Sequence, residues 1–317
     1  MRIIVIGAVN STLQTINQLI KHQFNIVGIL GHEPINSSNI SGWVDLKKIS
    51  DENELPYKGF RKINDAENII WAKSKKPDII FAVGFSQLLS NEWLEMPRLG
   101  CIGFHPTKLP RGRGRAPLAW TVLEEKEGAA TFFLMGEGAD DGPIFVQEVF
   151  QIEDNDDAHS VKEKINLAIV KSLDIWLPKL KNGIWDPIPQ DETKASWYGK
   201  RNKEDGHINW NYSAYSIDRL IKASTKPHPG AYTYFDDKKI IIWESVIEKD
   251  IKIHGVNGRI LIIDTRGILV QCGDGLIWLK KIEAEKDILL RVGDKLGYNI
   301  EDEINRLRKI IRKLGYE

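Results

Sequence analysis

Cysteine is scarce in this chain, with only Cys101 and Cys272 among 317 residues. They stand in apolar contexts far apart in sequence, so neither a disulfide framework nor a Cys-x-x-Cys metal site can be built from them. Net charge is lacking too. Lysine plus arginine and aspartate plus glutamate each total 44, so no global field draws the protein to nucleic acid or to an acidic membrane. No apolar run reaches transmembrane length, and the opening Met1-Arg-Ile-Ile-Val-Ile-Gly7 reads as a strand rather than a signal peptide. The expectation is a soluble, cytoplasmic protein with no membrane partner. Gly7-Ala-Val-Asn stands where a dinucleotide fingerprint Gly-x-Gly-x-x-Gly would follow the first strand, which weighs against a nicotinamide cofactor. Internal repeats and low-complexity tracts are absent.

What is present is a core large enough for two domains, with 42% hydrophobic residues. Ile3 to Ile6, Ile26 to Leu30, Asp78 to Val83, Cys101 to Phe104 and Ala130 to Met135 are apolar runs of strand length. Leu13, Ile16, Leu19 and Ile20 fall at helical spacing, as do Val161, Ile165, Ile169, Leu173 and Leu177. Strands alternating with helices predict an α/β fold with a mostly parallel sheet over residues 1–188. Asp186-Pro-Ile-Pro-Gln-Asp-Glu-Thr-Lys194 opens an extended linker, placed at 189–208. A short helix near Ile217, Leu220 and Ile221 and then five short strands predict a small β-barrel over 209–317, closed by an amphipathic helix at Ile304 to Leu314.

Chemistry concentrates in Gly100-Cys-Ile-Gly-Phe-His105-Pro-Thr-Lys-Leu-Pro-Arg-Gly-Arg-Gly-Arg-Ala-Pro117 and Thr131-Phe-Phe-Leu-Met-Gly-Glu-Gly-Ala-Asp140-Asp-Gly142. A histidine ends one apolar strand and an aspartate follows another. In open α/β sheets ligands bind outside the carboxyl ends of strands. The spacing fits two strand ends joined by a crossover helix, roughly Ala116 to Glu125. A carboxylate beside His105 would raise its pKa and fix its tautomer, giving a base for acyl transfer to an amine. The competing readings are a loop histidine satisfied by backbone and an Ala-Asp-Asp-Gly turn, with Asp141 rivalling Asp140. No third and fourth ligand stand at metal-site spacing, so no metal is expected. Arg111-Gly-Arg-Gly-Arg115 could wrap an anion with side chains and backbone amides, or be a solvated loop.

These residues resemble the folate-dependent formyltransferases: the methionyl-tRNA formyltransferase group and, more closely, the N-formyltransferases of nucleotide-linked amino sugars. The resemblance rests on His105, Thr107-Lys-Leu-Pro110, Arg113-Gly114 and Asp140-Asp-Gly142. It extends through Ala82-Val-Gly-Phe-Ser-Gln-Leu-Leu89, Ala195-Ser-Trp-Tyr198 and Cys272-Gly-Asp-Gly275, covering nearly the whole chain. It implies a Rossmann-like catalytic domain, an OB-like C-terminal barrel and N10-formyltetrahydrofolate as formyl donor. It also implies a place in bacterial polysaccharide biosynthesis, and it carries homodimer formation as an expectation. By resemblance, His105 is base or proton shuttle and Asp140 orients it. Val83, Gly84, Phe85, Gln87, Leu88, Leu89, Gly138 and Asp140 line the folate pocket. Thr107, Arg113, Arg115, Trp197, Lys200 and Arg201 meet the substrate.

One departure stands out. The family places an asparagine two residues before the histidine as oxyanion donor, and here that position is Gly103. Losing such a donor costs roughly 2.7–4 kcal/mol of transition-state stabilisation. Lys108, an arginine of the loop, a backbone amide or a water replaces it on the preferred reading. A folate- or nucleotide-sugar-binding protein that has lost catalysis is the alternative. Among amine acceptors, the charge balance disfavours transfer RNA, while the arginines and the Trp197-Tyr-Gly-Lys-Arg201 segment suit the diphosphate and ring of a UDP- or dTDP-amino sugar.

Overall fold

The computed structural model describes residues 1–37, 42–124, 127–285, 288–297 and 300–315, which divide into two compact units, Met1–Arg201 and Asn202–Glu317. The first unit runs β1 (Arg2–Gly7), α1 (Asn10–Lys21), β2 (Asn25–His32), α2 (Leu46–Glu52), β3 (Tyr57–Phe60), α3 (Ala66–Ser74), β4 (Ile79–Val83) and α4 (Asn91–Leu94). It continues with β5 (Gly100–Thr107), β6 (Arg113–Gly114), α5 (Pro117–Glu124), β7 (Gly128–Leu134), β8 (Ile144–Phe150), α6 (Ala158–Lys181) and β9 (Trp197–Tyr198).

Among the described residues these strands form a seven-stranded sheet in the order β3-β2-β1-β4-β5-β7-β8. The first five strands are parallel. In β1, Ile3, Ile4, Val5 and Ile6 are fully buried, because helices cover both faces. Ile4, Ile6, Ile80 and Cys101 meet α3 and α4 through Ile69, Ala72 and Trp93. The other face meets α1 and α6, which also pack on each other. All five predicted positions of the α6 stripe, from Val161 to Leu177, are buried. Each such side chain contributes roughly 1.5–3 kcal/mol on burial. Asp157 caps α6 by accepting from the amides of His159 and Ser160.

The direction of β7 corrects the expected crossover. Helix α5 occupies the predicted place, although Glu125 lies outside the described residues, but β7 runs antiparallel to β5 with Ile102 opposite Leu134 and His105 opposite Thr131. The connection leaves β5 at Thr107 and re-enters the sheet at Gly128, opposite that same residue, so the chain must reverse. An apolar run buried on both faces carries no mark of direction, which is why periodicity could not reveal this.

The segment expected as linker stays with the first unit as far as Arg201, where β9 pairs in parallel with β6. In the second unit, α7 (Ala214–Ser224) is followed by β10 (Ala231–Phe235), β11 (Lys238–Glu248), β12 (Ile260–Asp264), β13 (Gly267–Gln271) and β14 (Leu276–Glu283), then α8 (Ile300–Lys313). The five strands form an antiparallel sheet in the order β10-β11-β14-β13-β12. Ile217 and Ile221 of α7 share a core with Ile240, Ile242, Val270 and Ile277. No helix among the described residues is long and apolar enough to cross a membrane. Cys101 and Cys272 are both free and buried, and burial pushes their thiols up to about 12.

Candidate active site

The parallel registers bring the carboxyl ends of β1, β4 and β5 to one edge, with Gly7 opposite Val83 and Ala82 opposite Gly103. His105 lies two residues beyond Gly103 and is 5% exposed. Its Nδ1 is 3.4 Å from Asp140 Oδ2, and its Nε2 is 2.8 Å from the Gly112 carbonyl oxygen. Both neighbours are acceptors. A neutral imidazole can give a proton to only one of them, whereas the imidazolium satisfies both. Burial opposes that charge and is the larger influence, holding the His105 pKa below its ordinary 6.5, while the Asp140 charge and then the Gly112 carbonyl push it back up.

Because β7 is antiparallel, Asp140 reaches His105 from the loop between β7 and β8 rather than from a strand end. Its backbone takes φ +56°, a left-handed conformation that aspartate tolerates better than most residues. The Gly114 amide donates to Asp140 Oδ2 at 2.9 Å and fixes the carboxylate. Gly142 passes the Leu134 carbonyl so closely that a Cβ would sit 1.6 Å from that oxygen. The rivalry with Asp141 is resolved by the same loop. Its carboxylate folds over Gly138, where a Cβ would lie 1.7 Å from Asp141 Oδ2.

Several predicted binders are engaged elsewhere. Arg113, expected to meet the substrate, is 2% exposed, and its guanidinium is held by Glu192 and Gln190. Nη1 donates to Glu192 Oε2 at 2.9 Å, and Nη2 donates to Glu192 Oε1 at 2.6 Å and to Gln190 Oε1 at 2.9 Å. Thr107 is likewise buried and donates to the Gly112 carbonyl at 3.3 Å. Lys108 pairs with Glu127. The backbone amides of the arginine loop are not free for an anion either. Gly112 N donates to Ser196 Oγ, Arg113 N to Ser196 O, Gly114 N to Asp140 and Arg115 N to Tyr198 O. Arg201 stacks over Trp120 at 5.3 Å, and the Trp120 indole donates to the Gly199 carbonyl. Arg115 and Lys200 present exposed side chains, and Trp197 is 64% exposed.

The folate candidates divide in the same way. Val83 is buried at the end of β4, and Gly84 turns the chain with φ +62°. Phe85 meets Phe60 edge-on at 5.6 Å and, with Leu89, packs against the core. Gln87 accepts from Ile63 N at 2.9 Å and donates to Arg61 O at 2.7 Å, so its amide pins a neighbouring loop. Leu88 is 84% exposed, and Gly138 is exposed.

Two contributions had no sequence signal. Gln190 Nε2 donates at 2.8 Å to both the Asp140 and the Gly142 carbonyls, while its Oε1 receives Arg113. The segment after α6 therefore clamps the histidine loop and the aspartate loop together. Phe133 stands opposite Gly103 across β5 and β7, and a Cβ on Gly103 would lie 2.6 Å from its Cζ and 3.0 Å from Met135 Cγ. The ring occupies the space that an asparagine side chain would need.

Residues 1–173 match the formyl transferase family and residues 200–294 match the formyl transferase C-terminal domain, so the chain belongs to the formyl transferase family. A curated relative, the bifunctional polymyxin resistance protein ArnA of Wigglesworthia glossinidia brevipalpis, is 35% identical over 230 residues, or 72% of this chain. The chain spans about a third of that relative, 35% of its length. Among solved structures, HypX from Aquifex aeolicus in complex with tetrahydrofolic acid has TM-score 0.64 and 18% identity, over 90% of this chain and 44% of that one. WlaRD, a sugar 3N-formyl transferase in the presence of dTDP and 5-N-formyl-THF, has TM-score 0.64 and 17% identity, over 92% of this chain and 99% of that one.

Proposed function

We propose that the protein transfers the formyl group of N10-formyltetrahydrofolate to the primary amine of a UDP- or dTDP-linked deoxyamino sugar. The observation that carries this reading is the buried His105 with the half-buried Asp140 3.4 Å away, in a chain of this family. The residues present fit a folate. Leu88 offers an exposed apolar side chain beside the turn at Gly84, and Gly136 faces open space, with nothing within 4 Å of a Cβ built there. When bound, the folate supplies an activated formyl carbon.

The chain's own residues supply proton handling and positioning. With Nε2–H donating to the Gly112 carbonyl, Nδ1 is the atom that would accept a proton from the attacking amine and return it to the departing nitrogen of the formyl donor, and the imidazolium in between finds acceptors in Asp140 and the Gly112 carbonyl. Stabilising the charged product of proton transfer without reorganisation is what lowers the barrier. Arg115 and Lys200 offer cations to a diphosphate, and Trp197 a ring for stacking. The oxyanion donor is then a group other than the residue at position 103, because Phe133 fills that space.

The test is mass spectrometry after incubation with formyl-folate and a panel of UDP- and dTDP-amino sugars. Gain of one formyl group on a nucleotide sugar, lost in His105→Ala, supports the reading. Formylation of initiator transfer RNA alone would replace the acceptor, and folate binding without any product would leave a binding protein.

A further inference from the structure

The terminal helix α8 lies beyond both stretches matched by the family domains. Every residue from Ile304 to Gly315 is exposed, including Ile304 at 44%, Leu307 at 45%, Ile311 at 42% and Leu314 at 65%. A helix of this length whose face stays exposed from Ile304 onward is marginal in water, since most helical stability in proteins comes from a buried face. Its sequence says what would cover that face. Ile304, Leu307, Ile311 and Leu314 are separated by three, four and three residues, the seam of a coiled coil. Ile304 and Ile311 take the a positions and Leu307 and Leu314 the d positions. Isoleucine at a with leucine at d selects two parallel strands.

We propose that α8 pairs with α8 of a second copy of this chain as a short parallel coiled coil. Charge complementarity fixes both partner and direction. Glu303 falls at a g position and Arg308 at the following e position, so in a parallel pair each Glu303 meets Arg308 of the other copy, twice by symmetry. An antiparallel pair would set Glu303 against a second Glu303 or against Ile310. On its own helix the half-buried Glu303 accepts from Arg306 through two bonds of 2.7 Å, which a cross-helix arginine can replace or join. Ile310 at the second g position widens the apolar stripe. A lipid surface is the poorer occupant, because Glu303 would accompany the arginines and lysines onto an anionic headgroup layer.

Two heptads bury little, so the association is weak and concentration-dependent. Sedimentation equilibrium of the full chain, up to hundreds of micromolar, should show the mass rising from one chain towards two. Ile304→Lys with Ile311→Lys should hold it at one chain at every concentration, with an unchanged melting temperature because both side chains are exposed. Glu303→Arg alone and Arg308→Glu alone should each weaken association about tenfold, and the two together should restore it. A single-chain mass throughout for the wild type would overturn the proposal. So would a dimer that survives the double lysine change, or charge variants that fail to compensate. Phosphatidylserine vesicles that sediment the wild-type protein without self-association would also overturn it, in favour of a membrane occupant.

Discussion

Gly103→Asn is the substitution whose outcome the structure changes most. It restores the carboxamide usual in the family, yet its Cβ would lie 2.6 Å from Phe133 Cζ, and Phe133 is 3% exposed. Forcing a larger side chain into such packing costs roughly 1–3 kcal/mol. A buried carboxamide without partners adds about 1–3 kcal/mol. The sum, about 2–6 kcal/mol, is a large part of a domain's net stability of about 5–15 kcal/mol. At roughly 2–4 °C per kcal/mol the melting temperature should fall by about 4–24 °C. No gain in rate should accompany the loss. Phe133→Ala alone should cost about 3–5 kcal/mol through its cavity. In the double variant the asparagine occupies part of that cavity, so the two changes should couple favourably by about 1 kcal/mol or more. Thermal melts of the four proteins give the stability cycle, and formyl-transfer kinetics give the rates. A Gly103→Asn protein with wild-type melting and a rate gain of about 10²–10³ would refute both the steric argument and the view that another donor already serves.

Asp140→Asn should move the acid limb of the kcat/KM profile to lower pH, because the charge that lifts the His105 pKa against burial is gone; an unmoved limb would detach Asp140 from His105. Because the folded His105 pKa lies below its ordinary 6.5, the unfolded chain binds more protons below that pH. This stability contribution is therefore full above about 6.5 and declines as the pH falls towards the folded value, a slope that His105→Gln should flatten in denaturant titrations. Gln190→Ala removes the clamp on the Asp140 and Gly142 carbonyls, so kcat should fall at least about tenfold with little change in KM, and Gln190→Glu should not restore it because a carboxylate cannot donate. Arg115→Ala should raise KM for the nucleotide sugar about 5- to 50-fold without altering the melting temperature, on the loss of one charge-assisted contact. A rise in KM of similar size with a large drop in melting temperature would instead give Arg115 a structural role.

The parallel half of the sheet was legible because strand-length apolar runs such as Ile3 to Ile6 alternate with stripes at helical spacing such as Leu13, Ile16, Leu19 and Ile20. His105 and Asp140 were legible as strand-flanking polar residues, and their meeting follows from the family pattern. The route by which they meet was not. It depends on the reversal of β7 and on the left-handed turn at Asp140, both set by pairings between distant segments. The arginine loop misleads for the same reason. Nothing in Arg111-Gly-Arg-Gly-Arg115 shows that Gln190, Glu192, Ser196 and Tyr198 engage its amides and the Arg113 guanidinium from the far side of α6. Gly103 gains its explanation only from Phe133, a residue of another strand whose ring needs the missing side chain.

His105, backed by Asp140, is proposed to serve formyl transfer from a folate donor to a sugar amine. The direct measurement is the single-turnover rate of formylation of a dTDP- or UDP-amino sugar by the wild type, His105→Ala and Asp140→Asn, with product identified by mass. The account predicts formylated nucleotide sugar from the wild type, with the rate falling by about 10²–10⁴ in His105→Ala and substantially in Asp140→Asn. Equal rates in the wild type and His105→Ala would contradict it.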